Sequence, residues 1–244
     1  MAFQIRIFFV SFLLLGAVFG AAAALVFIVW YPSPLGRLVG ADQLFGTFVV
    51  VGFFLGPTLT AALWSPSKKS FSFDAAVLVV LNGAAFLYGL FVLAQGRPAW
   101  IVFNVDRFDL VQAFEHDLVA PELISKEYLN LSWNGPVWVA AKMPEDRNER
   151  NRLLFESVFA GIDLPQRADL YQKLDVFSED IGSKAKPLSD LRKYNSPIDV
   201  DDVLAKYPAA DGYLPLVTAR HDAVVLLRKR DGAIASVVDL RPWN

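Results

Sequence analysis

Three stretches of the chain, residues 7–36, 43–67 and 75–96, contain no Lys, Arg, Asp or Glu. Each exceeds the roughly 20 apolar residues that carry a helix across a bilayer. The pattern predicts three N-terminal transmembrane helices, about Ile7–Trp30, Leu44–Trp64 and Ala75–Gln95. Lipid offers no partner to an open backbone, and a helix satisfies its own. The first run is expected to stay in place rather than be cleaved as a signal, because it continues through "LVFIVW" and further runs follow. Gly56–Pro57, in "LGPTLT", fall inside the second run, where Pro removes a helix hydrogen bond and predicts a kink. Gly16, Gly20 and Ala21–Ala24 give the first run a small-residue face for close helix approach.

The pattern changes after Gly96. Gly96-Arg97-Pro98 ends the third helix, Gly as a C-cap and Pro as a restraint on the residue before it. "AWIVFNV" then reads as a strand with Ile101, Phe103 and Val105 on one face. The parity shifts to Phe108 and Leu110, which predicts a bulge or turn near Asp106–Arg107. "GPVWVAAKMP" (135–144) reads as a strand and "PEDRNERNRLLFESVFAG" (144–161) as a helix. Pro165, Pro187 and Pro197 break the next region into short pieces, followed by a short helix in "DVDDVLAKYP". "AVVLLRKRDGAIASVVDL" is a hairpin about Asp231–Gly232, with Leu226 expected opposite Val237 and Val225 opposite Val238. "YLPLVTA" (213–219) adds a strand that Pro215 assigns to an edge. The expected fold is a membrane protein: three transmembrane helices over residues 1–96, then an α+β extramembrane domain over 97–244 with a mostly antiparallel sheet and a C-terminal hairpin.

Charge sharpens that division. Residues 1–96 hold four basic and two acidic side chains; the rest holds 19 basic and 23 acidic. The Lys68–Lys69 pair points its loop to the cytoplasm, which places the amino terminus inside and the C-terminal domain in the periplasm. Trp30, Trp64 and Trp100 fall near span ends, where amphipathic rings favour the headgroup zone. The runs hold no ionisable group for an ion path or proton relay, which argues against a transporter or channel. The absence of cysteine excludes disulfides and thiol chemistry. The acidic polar part lacks the basic footprint of a nucleic-acid binder.

Candidate chemistry is sparse. His116–Asp117 and His221–Asp222, with Glu115, could form a carboxylate–imidazole metal site, but these are the chain's only two histidines and lack helical ligand spacing. Asp106, Arg107 and Asp109 could hold an acid/base pair; alternating charge at a strand end more often makes local ion pairs. Arg241-Pro242-Trp243 carries two residue types common at binding hot spots. No phosphate loop or G-x-S-x-G elbow occurs. The sequence therefore predicts no catalytic residue, no metal and no cofactor.

Six stretches, "WYPSPL" (30–35), "LGPTLT" (55–60), "KKSFSFD" (68–74), "AQGRPAWIVFNVDRFDLV" (94–111), "PEDRNERNRLLFES" (144–157) and "VVDLRPW" (237–243), resemble the TfpX/TfpZ-type type IV pilin accessory proteins. The resemblance implies a bacterial inner-membrane protein that acts alongside type IV pilin, with pilin and the lipid bilayer as partners and no active site to carry over. Candidate partner-binding residues are Trp30, Gly56, Pro57, Arg97, Trp100, Asp106, Arg107, Asp109 and Trp243. The alternative is a membrane-anchored periplasmic enzyme or metal-dependent sensor built on His116, Asp117, His221 and Asp222.

Overall fold

A computed structural model describes residues 15–63, 71–116, 124–160 and 163–243. Four helices come first: α1 (Leu15–Trp30), the short α2 (Leu35–Leu38), α3 (Ala41–Leu63) and α4 (Phe71–Gln95). Among the described residues, one helical stretch is both long and apolar enough to cross a bilayer, Ala76–Gln95 within α4; Leu15–Trp30 and Ala41–Gly52 are apolar but shorter. The expectation of three transmembrane helices is overturned: the described residues hold one candidate span. A physical reason lies in the end of α1. Its last turns, Leu25–Trp30, widen into a π-helix, and Val26, Trp30 and Tyr31 are buried against Ala41, Leu93 and Ala94. That charge-free stretch is partly protein interior. The first residues expected in span one, Trp64 and the Lys68–Lys69 pair lie outside the described residues.

Helix contacts also differ from expectation. A Cβ added at Gly16 or Gly20 meets nothing within 4 Å. The close approaches are elsewhere: Phe19 of α1 lies over Gly52 of α3, and Phe48 of α3 lies over Gly89 of α4. Phe19, Phe48 and Phe86 form a ring cluster with centroids 5.2–5.4 Å apart.

The α+β domain is built on one curled eight-stranded sheet. Its strands are β1 (Pro98–Asn104), β2 (Arg107–Gln112), β3 (Val137–Ala141), β4 (Tyr171–Lys173), β5 (Lys186–Pro187), β6 (Gly212–Val217), β7 (Ala223–Arg228) and β8 (Ala233–Val238). The order is β4-β3-β1-β2-β6-β7-β8, with β5 beside β6. The β1–β3 and β2–β6 pairs are parallel and the others antiparallel. The curl brings Trp138 of β3 and Ala233–Ser236 of β8 onto one cavity of about 560 Å³. Helices α5 (Lys126–Leu129), α6 (Arg147–Ala160), α7 (Ser178–Lys184) and α8 (Pro197–Leu204) lie between strands.

The parity shift in the opening strand is a tight hairpin. Phe103 pairs with Phe108 and Ile101 with Leu110, so all four join one core cluster, while Trp100 and Val102 face another. The turn between them places Val105 at φ 60°, and the Asp106 N–H donates to the Asn104 carbonyl at 2.7 Å. A β-branched residue rarely occupies that conformation.

The C-terminal hairpin forms one residue away from the expected register: Val225 opposes Val237 and Val224 opposes Val238. The loop runs over residues 229–232, and an irregularity between Leu226 and Leu227 absorbs one residue on β8. Gly232 sits at φ 64°, and a Cβ there would run into the carbonyl oxygen of Ser178. Pro215 does not mark an edge. β6 lies between β2 and β7, but β2 pairs only with Leu216 and Val217 and β5 only with Gly212 and Tyr213. Pro215 pairs with Val224 of β7 on one side and faces the gap on the other, where a missing N–H breaks no pairing with β2 or β5.

The division expected at residue 96 is crossed by the segment after α1. Leu35 and Leu38 are buried in the same cluster as Ile101, Phe103, Phe108, Leu214, Leu216 and Leu227. Thr218 Oγ1 and the His221 N–H donate to the Leu38 carbonyl at 2.9 and 3.2 Å. The Tyr31 hydroxyl donates to the Leu93 carbonyl at 2.7 Å.

Candidate functional site

The helix–sheet junction gathers several of the candidate residues. Gly96 ends α4, its N–H donating to the Val92 carbonyl at 3.0 Å, and β1 begins two residues later. The Gln112 side-chain amide donates to the Gly96 carbonyl, and the Ala113 N–H donates to the Arg97 carbonyl at 2.9 Å. The end of β2 is thereby bound to the end of α4. Arg97 is only 3% exposed. Its guanidinium donates to the carbonyls of Ala94 and Ser132 and lies 4.0 Å above the Trp133 ring, a cation–π contact. Trp133 in turn packs on Trp30, with centroids 5.9 Å apart. Burial lowers the Arg97 pKa, with Tyr31 acting against it; burial raises the Tyr31 phenol, with Arg97 acting against it.

Trp100 is in the core rather than at the headgroup level. Its ring contacts Tyr171 at 5.3 Å, His116 at 5.9 Å and Tyr128 at 6.0 Å. Because β1 starts immediately after α4 and is buried along its length, the second residue of its apolar run already points inward. Trp30 is likewise buried.

Asp106, Arg107 and Asp109 make a local charged turn. Asp109 is buried and accepts from Asn104 Nδ2 at 3.1 Å and from Arg107 Nε at 3.2 Å. Burial raises its pKa, while Arg107 and Asn104 oppose the rise. Asp106 stays exposed at the hairpin tip. Trp243 Nε1 donates to Asp222 Oδ2 at 2.8 Å, and Asp222 Oδ1 accepts from the Thr218 N–H at 3.1 Å. Gly56 and Pro57 lie within α3, which runs through them to Leu63.

The two histidines are not brought together. His116 lies against Trp100 on one face of the sheet. His221 lies in the β6–β7 connection, bonded through its N–H to Leu38, which packs on the opposite face. Asp117 lies outside the described residues, and among the described residues no group of three His, Cys, Asp or Glu could hold a metal.

Sequence reasoning missed Leu35, Leu38, Phe114 and Trp133. For the leucines the only signal was an apolar pair either side of Arg37 in the segment between two longer helices. For Trp133 it was a bulky ring set in the polar loop "LSWNG".

Fold and junction together define a class: an α+β protein joined without a linker to an apolar helix compatible with membrane association. Over 248 aligned residues the chain is 28% identical to the fimbrial assembly protein of serogroup E1 from Dichelobacter nodosus, covering 98% of this chain and 95% of the relative. The serogroup I protein of the same organism is 27% identical over the same shares. The protein of serogroups C1 and C2 is 31% identical over 123 residues, half of this chain and 92% of that relative. The chain belongs to the family of fimbrial assembly proteins. No family model and no solved structure matches it.

Proposed function

We propose that the protein is a non-enzymatic accessory factor of pilus biogenesis, of the TfpX/TfpZ type, that binds type IV pilin at the inner membrane. The observation that carries this reading is the coincidence of two features in one chain. Its similarity to fimbrial assembly proteins extends over 98% of its length, and α4 turns Val79, Val80, Leu87, Tyr88 and Phe91 outward as an apolar surface. A pilin subunit held in the membrane by an apolar helix, with its head in the periplasm, would meet both the helix and the sheet. Lys68–Lys69, just before Ala76–Gln95, sets the orientation: the basic flank stays in the cytoplasm and the α+β domain enters the periplasm.

Two measurements test this. Deletion of the gene is expected to lower surface pili while pilin transcript levels hold. Photocrosslinkers at Asp106, exposed on the hairpin tip, and at Val79, exposed on α4, are expected to capture pilin. Normal piliation in the deletion strain, with no crosslink from either position, would remove the proposal.

A further inference from the structure

The junction presents a second surface that comes from distant parts of the chain. The short turn Ala113–Glu115 packs against α4 and follows directly from the bonds that tie Gln112 to Gly96 and Ala113 to Arg97. Phe114 in that turn is 62% exposed. Trp133, fixed between Trp30 and the Arg97 guanidinium, is 57% exposed on its outer side. Ile28, two residues before Trp30, and Phe91, one turn before the end of α4, are exposed as well. These four side chains belong to α1, α4 and two loops of the α+β domain. Phe91 is in the last turns of α4, Phe114 is in the turn that packs on α4, Trp133 packs on Arg97 just after it, and Ile28 precedes Trp30, which clusters with Leu93 and Ala94.

We propose that Ile28, Phe91, Phe114 and Trp133 form a collar that seats the α+β domain on the headgroup zone of the bilayer. The occupant is a lipid surface because the patch continues the apolar surface of Ala76–Gln95. Aromatic rings at a helix end, one of them held over a buried guanidinium, match the chemistry of the boundary between acyl chains and headgroups. The collar fixes the standing of the sheet. β1 leaves the collar and runs seven residues before its turn, so the tip at Val105–Asp106 stands up to about 20 Å further from the bilayer. The inference rests on the reading that α4 lies in lipid, and its test separates the two.

The chain has no cysteine, so single cysteines can be spin-labelled in the full protein. The probes are L87C on α4, F114C, N134C beside Trp133, and D106C at the hairpin tip, in vesicles of phosphatidylethanolamine and phosphatidylglycerol. Power saturation with oxygen and with a water-soluble nickel chelate gives each label's depth. L87C is expected to be deep, F114C and N134C to lie at headgroup depth with an oxygen-to-nickel ratio several-fold above D106C, and D106C to be aqueous. If F114C and N134C match D106C while L87C is deep, the collar is wrong and the membrane helix stands. If L87C is aqueous too, both fall.

Discussion

Leu38→Ala tests whether the segment after α1 is core or connector. Leu38 is 1% exposed and packs among Ile101, Phe103, Leu216 and Leu227. Truncating a buried leucine costs roughly 2–5 kcal/mol, the larger values going to sites that cannot close over the cavity. This site belongs to the upper half of that range. The Leu38 carbonyl is pinned by Thr218 and His221, so the backbone cannot sink into the space left behind. A loss of about 3.5–5 kcal/mol lowers the melting point of a chain this size by about 7–20 °C, at roughly 2–4 °C per kcal/mol. The assay is thermal unfolding of the reconstituted full chain, followed by circular dichroism. Ile198→Ala is the reference, because Ile198 is 71% exposed and such changes stay within about 0.5 kcal/mol. A Leu38→Ala melting point indistinguishable from that of Ile198→Ala would refute the assignment of Leu35–Leu38 to the domain core.

Other predictions follow from backbone and charge. Val105→Gly removes a β-branched side chain from φ 60°; relief of about 1–2 kcal/mol against a glycine entropy cost of about 0.5–1 kcal/mol gives a net gain of up to about 1.5 kcal/mol, read as a higher melting point. Gly232→Ala puts a Cβ into the Ser178 carbonyl oxygen at a positive φ and is expected to cost more than about 2 kcal/mol, seen as a sharply lower melting point or loss of folded protein. Arg228 hydrogen-bonds the Asp231 carboxylate and lowers its pKa to about 2. A depressed carboxylate stabilises the fold above its unfolded pKa near 3.8 and loses that contribution as pH falls through about 2. Asp231→Asn should therefore flatten the melting-point profile between about pH 4 and 2 and change it little in shape above that window.

The parts of the fold legible in the sequence were those set by short-range pattern. The break in alternation between Phe103 and Phe108 located the first hairpin, and Asp231–Gly232 located the last. What pattern could not supply was long-range context. Pro215 read as an edge marker because the sequence does not reveal that β2 and β5 leave a gap beside it. The absence of charge read as lipid exposure in all three runs, although apolar residues serve a protein interior equally well, as Trp30 and Leu35 do. At the junction, Arg97 was singled out as a possible contact, yet its guanidinium is spent on two carbonyls and an indole. The residues left facing outward, Phe114 and Trp133, sit in polar loops where no periodicity marks them.

The direct passage from α4 into β1 has a mechanical consequence. Two residues of chain, bridged by the Gln112 side chain, give no swivel between a helix and an interior strand of the sheet. A change in the tilt or rotation of α4 must therefore turn the whole sheet as a lever, with the tip at Val105–Asp106 sweeping the longest arc. A partner that leans on the helix would be felt at that tip without any rearrangement inside the domain.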